Sequence, residues 1–191
     1  EDSKKDKYQQ NLKTIQKQIK QIENLVNEFS DFARMPKPLI KSNNLYGVIT
    51  ENINLLNKID SNIIIKLINH IPKDRYANFD YEQFNRLFFN LIKNSIESIQ
   101  EKAEKDNKID KNIDIEIRER RDYIIINILD TGIGFKDKKT KDLIKPYFTT
   151  KQKGTGLGLS IVDKIISDHN GSINFLNQNN GAKIQIIIPN K

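Results

Sequence analysis

Cysteine is absent from the 191-residue chain, which excludes a disulfide framework and a thiolate metal site and accords with a reducing compartment. Histidine is scarce, with only His70 and His169. His70 stands near an expected strand end before Pro72, and His169 precedes Asn170-Gly171 at a helix exit, so both read as local structural or capping residues. Long apolar runs are missing as well. The longest, around 63–65 and 124–126, fall far short of the roughly 20 residues that span a bilayer, and no signal-like segment is present. The chain begins at Glu1 rather than Met, and the expectation is a soluble cytoplasmic piece of a longer protein, one compact domain with an added arm.

Acidic residues are outnumbered, 25 against 32 Lys and Arg, for a net charge of +7. Lysines are interleaved with acids along the whole chain, and the densest excess lies at 136–153, where Asp137 and Asp142 are the only acidic residues. A basic nucleic-acid module is therefore a rival reading, but nothing beyond bulk charge favours it. No nucleic acid is expected as a partner, and no membrane contact by this segment.

From Tyr8, the positions Leu12, Ile15, Ile19, Ile22, Val26, Phe29 and Ala33 follow at alternating spacings of four and three, a heptad seam that predicts a long helix with one face for partner helices. Pro36 and Pro38 end it. Thereafter the pattern predicts a helix over 45–56, a strand over 63–71, and a helix capped by Asp80 whose apolar face runs from Phe84 to Ile99. Strands over 113–120 and 123–129 follow, then a lysine-rich loop, a helix at about 157–169, and strands over 172–176 and 183–188 joined by a turn at Asn179-Asn180-Gly181. Helices and strands that do not alternate strictly imply a helix layer on one face of a mixed sheet.

Four segments carry chemistry. Within the long helix, Asn90 and Asn94 project from one side a turn apart, and an amide oxygen is a suitable neutral ligand for Mg²⁺. Lys93 and Ser95 flank the second asparagine. Directly after a strand comes Asp130-Thr131-Gly132-Ile133-Gly134-Phe135, where the glycines let backbone approach a ligand and Asp130 offers an acceptor to an exocyclic amine such as that of adenine. A dinucleotide fingerprint would need a third glycine at 137, where Asp137 stands. Pro146-Tyr147-Phe148-Thr149-Thr150-Lys151 sets an aromatic anchor beside two hydroxyls and a lysine. Finally, Gly154-Thr155-Gly156-Leu157-Gly158-Leu159 runs into a helix, where free amides and the positive dipole end favour phosphate. It lacks the Gly-Lys-Ser/Thr ending of a Walker loop.

In this order the segments resemble the N, G1, F and G2 boxes of the ATP-binding domain shared by histidine kinases, gyrase-type topoisomerases, Hsp90 chaperones and mismatch-repair proteins. The resemblance covers roughly 41–191 and implies an α/β two-layer sandwich of the Bergerat type, here preceded by one long bundle-forming helix. It further implies ATP and Mg²⁺ as cofactors, Asn94 as the metal ligand, Asn90 as a phosphate or metal-shell contact, and Asp130 as the adenine-reading carboxylate. Gly132 and Gly134 would shape the pocket, and Lys93 and Phe148 would line it. Thr150, Lys151, Gly154, Thr155, Gly156, Leu157 and Gly158 would form a mobile lid over the phosphates, so that Asn90, Asn94 and Lys151 are the catalytic candidates.

Hydrolytic members resemble one another in a glutamate one turn before the metal-binding asparagine; here that position is Asn90, which cannot act as a general base. Transfer to an external nucleophile is therefore preferred over hydrolysis. Glu28-Phe29-Ser30-Asp31-Phe32-Ala33-Arg34-Met35-Pro36-Lys37-Pro38 is similar to the end of the second dimerisation helix in nitrogen-regulation sensor kinases of the NtrY-like group. The reading is thus 1–40 as part of a dimerisation and histidine-phosphotransfer domain and 41–191 as the catalytic domain. It implies transfer of the γ-phosphoryl of ATP to a histidine on a helix absent from this chain, then to an aspartate of an NtrX-like response regulator. It also implies a homodimer through the first helix and a membrane-anchored parent protein. A chaperone-like ATPase, or a bundle module with a degenerate pocket, are the other readings the residues leave open.

Overall fold

The computed structural model describes residues 2–106, 108–135, 139–149, 151 and 154–190, and the side chains of these except 2–6, 21, 24, 31 and 140. Helix α1 (Asp2–Ala33) leads through Pro36 and Pro38 to a short strand, β1 (Lys41–Asn44), and then to α2 (Leu45–Leu56). Asn44 caps α2 by accepting from the Gly47 amide at 2.8 Å. Next come β2 (Ile64–Asn69), β3 (Tyr76–Phe79) and α3 (Tyr81–Ala103), then β4 (Asn112–Arg120) and β5 (Tyr123–Asp130). The single turn α4 (Thr140–Leu143), α5 (Gly158–Asp168) and the final pair β6 (Ser172–Gln178) and β7 (Gly181–Pro189) complete the described chain.

Five strands form the main sheet in the order β2-β4-β5-β7-β6. Only β2 and β4 run parallel; the other neighbours are antiparallel. Period-2 alternation puts Ile113, Ile115 and Ile117, Ile124, Ile126 and Ile128, and Ile184, Ile186 and Ile188 on one buried face. Register lays them in rows, with Ile115 opposite Ile128 and Ile128 opposite Ile184. Against these rows pack the apolar stripes of α2, α3 and α5, including the fully buried Leu45, Phe84, Leu87, Phe88, Leu91 and Val162. Each such side chain contributes about 1.5–3 kcal/mol of burial. The expected helix layer on one face of a mixed sheet is present.

Two features depart from the sequence reading. β1 and β3 form a separate antiparallel pair, Lys41 opposite Phe79 and Asn44 opposite Tyr76, which no strand pattern announces because KSNN carries no β-branched or apolar alternation. The last turn is shorter than expected: Gly181 pairs with Gln178 as the first residue of β7, leaving Asn179 and Asn180 as the loop.

Asp80 joins three parts of the fold. It caps α3 by accepting from the Gln83 amide at 3.0 Å, and its other oxygen accepts from the Leu39 amide of the linker at 2.6 Å. Its own amide donates to His169 Nε2 at 3.0 Å, while His169 Nδ1 lies 2.7 Å from the Ile165 carbonyl. That pattern requires the proton on Nδ1 and a free lone pair on Nε2. His169 is buried, C-caps α5 and packs its ring edge on Phe84. Replacing it with alanine leaves the Asp80 amide without its acceptor and opens a cavity, so His169→Ala is expected to lower unfolding free energy by about 2–3 kcal/mol in urea titration; a loss below about 0.5 kcal/mol would show the tie is idle.

Along α1 the seam residues Tyr8, Leu12, Ile15, Ile19, Ile22, Val26 and Phe29 are exposed within the single chain, whereas Phe32 and the following Met35 pack on the core. No helix of the described residues is long and apolar enough to cross a membrane.

Candidate functional site

α3 carries the site on two adjoining faces. Ser95, Ser98 and Lys102, spaced three and four apart, hold the loop that follows β5. The Ser95 hydroxyl donates to Asp130 Oδ2 at 3.0 Å, Ser98 Oγ accepts from the Ile133 amide at 3.0 Å, and Lys102 Nζ donates to the Thr131 carbonyl at 2.9 Å. Asp130 Oδ1 accepts from the Gly132 amide at 2.9 Å. Gly132 is required here because a Cβ would lie 2.1 Å from Ser98 Oγ and 2.8 Å from the Ser98 backbone carbon. Gly134 adopts φ +70°, which favours glycine. Burial raises the Asp130 pKa above the usual carboxylate value, opposed by the hydrogen bonds from Gly132, Ser95 and Ala182 and by the charge of Lys102. A carboxylate kept at a strand end in this way is costly, and its exposure of 7% leaves it a narrow opening to a ligand.

Asn90 and Asn94 occupy the second face. Asn90 Nδ2 donates back to the Arg86 carbonyl at 2.8 Å, which turns Oδ1 outward. A Cβ on Gly158, the first residue of α5, would lie 3.2 Å from Asn90 Oδ1 and 3.8 Å from Asn94 Nδ2, so both asparagines face the start of α5. No side chain caps that start, and its amides point toward the same region. Lys151 reaches in from the loop: its Nζ donates to Asn94 Oδ1 at 3.1 Å and to Glu97 Oε2 at 2.5 Å. Lys93 Nζ lies 4.0 Å from Glu97 Oε1.

These positions answer the sequence expectations one by one. Asn90, Lys93, Asn94, Lys151 and Gly158 come together on one side of α3, and Asp130 and Gly132 on the neighbouring side, joined through the adjacent residues Asn94 and Ser95, while Gly134 lies against Asn177 and Gly181 of the β6–β7 hairpin. Gly156, at φ +72°, is pressed against Tyr147 and Phe148 so closely that a Cβ would sit 2.5 Å from the Tyr147 carbonyl carbon. A Cβ on Gly154 would likewise meet Thr149 Oγ1 at 2.5 Å. The Leu157 side chain is fully buried in the core, so only its backbone could touch a ligand, and Phe148 is partly buried and packs against the core. Thr155 donates its hydroxyl to Glu28 Oε2 of α1 at 2.5 Å. Tyr147, beside Phe148, stacks on Phe29 with centroids 6.2 Å apart. Thr150 lies outside the described residues.

Ser98, Lys102 and Glu97 were not singled out from sequence. Their signal is the spacing of Ser95, Ser98 and Lys102 along one helical stripe, readable only once the loop it holds is known. A cavity of about 380 Å³ lined by Asn112, Asp114, Asp130, Asn177 and Asn180 touches Asp130 but none of the α3 asparagines. The hydrogen-bond geometry, not cavity shape, marks the site.

The oxygen donors fit a hard divalent cation. Asn94 Oδ1 already holds a cation, the Lys151 ammonium, together with a carboxylate oxygen of Glu97, and amide and carboxylate oxygens are the ligands Mg²⁺ accepts. Among the described residues no cluster of three His, Cys, Asp or Glu side chains could hold a metal ion.

With its strand-end carboxylate, paired asparagines and glycine-led helix on a helix-backed mixed sheet, the chain belongs to the histidine kinase-, DNA gyrase B- and HSP90-like ATPase family, whose model matches residues 79–191. It is similar to the nitrogen regulation protein NtrY of Azorhizobium caulinodans, 33% identical over 177 residues, covering 92% of this chain and 23% of that protein. An NtrY-like sensor histidine kinase of Rickettsia felis is 31% identical over 183 residues, covering 95% of this chain and 29% of that protein. The chain thus spans under a third of the length of these relatives. The catalytic domain of the histidine kinase ThkA superposes with a TM-score of 0.68 at 26% identity, covering 79% of this chain and 95% of that domain.

Proposed function

We propose that residues 41–191 bind Mg-ATP and present its γ-phosphoryl group to a histidine outside this chain, and that residues 1–40 contribute the second helix of a dimerisation and histidine-phosphotransfer domain. The observation that carries this reading is the joint placement on α3: Asp130 held at Ser95, and Asn90 and Asn94 facing the uncapped start of α5. Asp130 accepts the adenine amine, and the loop at Gly132 and Gly134 leaves room for the ring. Asn94 and Asn90 hold the metal and the phosphates, Lys93 and Lys151 neutralise phosphate charge, and the α5 amides bind the terminal phosphate. Mg²⁺ held at Asn94 would supply neutralisation of charge developing on the transferred group, as is general for phosphoryl transfer.

Asn90, lacking a basic atom, leaves water without a general base and so favours transfer over hydrolysis. The onward partner is an aspartate of an NtrX-like response regulator, supported by the likeness to NtrY and by the fold of ThkA in its complex with the response regulator TrrA, a superposition with TM-score 0.72 at 23% identity. The exposed α1 seam supports a homodimer in the intact kinase.

Calorimetric titration tests the reading. ATP is expected to bind at least about 100-fold more tightly than GTP, because the guanine carbonyl would face the Asp130 carboxylate without a proton between them. The chain is not expected to label itself from γ-³²P-ATP with a base-stable, acid-labile phosphate, since both ring nitrogens of His169 are engaged within the fold and His70 lies beside Glu116 just after β2 rather than on a helix of heptad pattern. Equal ATP and GTP affinity, or steady phosphate release, would overturn it.

A further inference from the structure

Glu97 has no place in the nucleotide reading, yet the cationic side chains of the site converge on it. Its Oε2 accepts from Lys151 at 2.5 Å and its Oε1 lies 4.0 Å from Lys93 Nζ. The side chains of Lys151 and Glu97 are 30% and 36% exposed, so the pair adds little to stability. What it does is decide where the ammonium sits. Held by Glu97, that ammonium also occupies Asn94 Oδ1 at 3.1 Å. An amide oxygen beside a carboxylate oxygen is the donor set a hard divalent cation prefers, so Lys151 and a divalent cation compete for one oxygen.

We propose that Glu97 is a positioning residue that parks Lys151 on Asn94, so that a divalent cation taking Asn94 Oδ1 releases the lysine to the polyphosphate. The proposal rests on the nucleotide reading of this site. Its physical content is a cation exchange. A polyphosphate arriving without metal meets the Glu97 carboxylate and must draw Lys151 away from it, which multiplies the apparent affinity by the fraction of molecules with Lys151 unparked. A polyphosphate arriving with a divalent cation would find Asn94 claimed by that cation, Lys151 set free, and the repulsion from Glu97 offset by the added positive charge. Glu97 thereby makes nucleotide binding depend on the divalent ion.

The experiment is titration of the whole chain with ADP, in EDTA and in Mg²⁺, for wild type, Glu97→Gln, Lys151→Met and the double variant. Glu97→Gln is expected to tighten metal-free ADP binding about tenfold while changing Mg-ADP binding by about twofold or less, so that the magnesium dependence shrinks about tenfold. In the Lys151→Met background the same glutamate substitution should shift metal-free binding by about threefold or less, because no ammonium remains to be parked. If Glu97→Gln does not fold, Glu97→Ala, which also removes the carboxylate that holds Lys151, takes its place with the same expectation. An unchanged magnesium dependence overturns the proposal, as does an equal effect in both backgrounds, which would assign the result to the carboxylate charge alone. Wild type that binds ADP under neither condition overturns the nucleotide reading itself, an outcome distinct from normal binding with unchanged ion dependence.

Discussion

Replacing Asp130 with asparagine is expected to weaken ATP binding by at least about 100-fold while leaving the free protein as stable as wild type or more so. The two effects separate because, on the proposed reading, the carboxylate serves a ligand more than the fold. Its oxygens accept from Ser95 and Gly132, and asparagine preserves both contacts: its oxygen accepts from Gly132, and its amide can donate to the Ser95 oxygen. The adenine amine, by contrast, would lose its charged acceptor, and an unmatched buried polar group discriminates by several kcal/mol.

Linkage gives the sign with pH. Burial raises the Asp130 pKa in the folded chain above its ordinary value of 3.8, so the native state binds this proton more readily than the unfolded one. The group therefore penalises the native state at neutral pH, and the penalty is relieved as pH falls through the raised folded value. Adenine-nucleotide affinity runs the other way and is lost over that same descent, at a pH above that at which an exposed aspartate would titrate. Calorimetric binding from pH 7 downward, with melting temperatures for both variants, checks the pair of trends; an asparagine variant that binds ATP normally, or that melts far lower, would refute the assignment.

Gly181→Ala should do the opposite and damage fold and site together. The residue sits at φ +140° where β7 starts, and a Cβ there would lie 1.8 Å from the Asp130 carbonyl oxygen and 2.9 Å from the Thr131 Cα. Neither neighbour is a flexible side-chain tip. Relief requires β5 and β7 to part where Asp130 pairs with Ala182, which breaks sheet hydrogen bonds and displaces the carboxylate. A destabilisation of at least about 3 kcal/mol is expected in urea titration, together with loss of ATP binding. A cost below about 1 kcal/mol would mean that the hairpin end yields freely.

Much of this arrangement is legible in the residues. α2 runs over the expected span, and α3 starts where Asp80 announces it, because apolar periodicity and a capping side chain are local signals. The isoleucine alternation of β4, β5 and β7 is equally plain. The glycines at 132, 134 and 156 read as places where backbone can turn and approach a ligand; the close approaches seen are to protein, Ser98 for Gly132 and Tyr147 for Gly156, with positive φ at Gly134 and Gly156.

What sequence could not deliver depends on distant partners. The β1 strand is too short and polar to show a period and β3, though mostly apolar, is only four residues long; each exists because it pairs the other across the intervening α2 and β2. Leu157 lies within a glycine run that reads as ligand loop, whereas its apolar side chain anchors that run in the core. Nor does any local pattern join Lys151 to Glu97, residues on different elements whose meeting requires the loop to fold back across α3.

One 23-residue helix, α3, carries contacts on both flanks of the site. From Asn90 to Lys102 it rises about 18 Å, so on the proposed reading the spacing between the groups that would hold the purine and those that would hold the phosphates is set by the pitch of a single stiff rod, not by the docking of separate parts. The fold thus contains its own ruler: the sheet and loops can shift by small amounts without altering the length against which a nucleotide is measured, whereas a bend within α3 would change it at once.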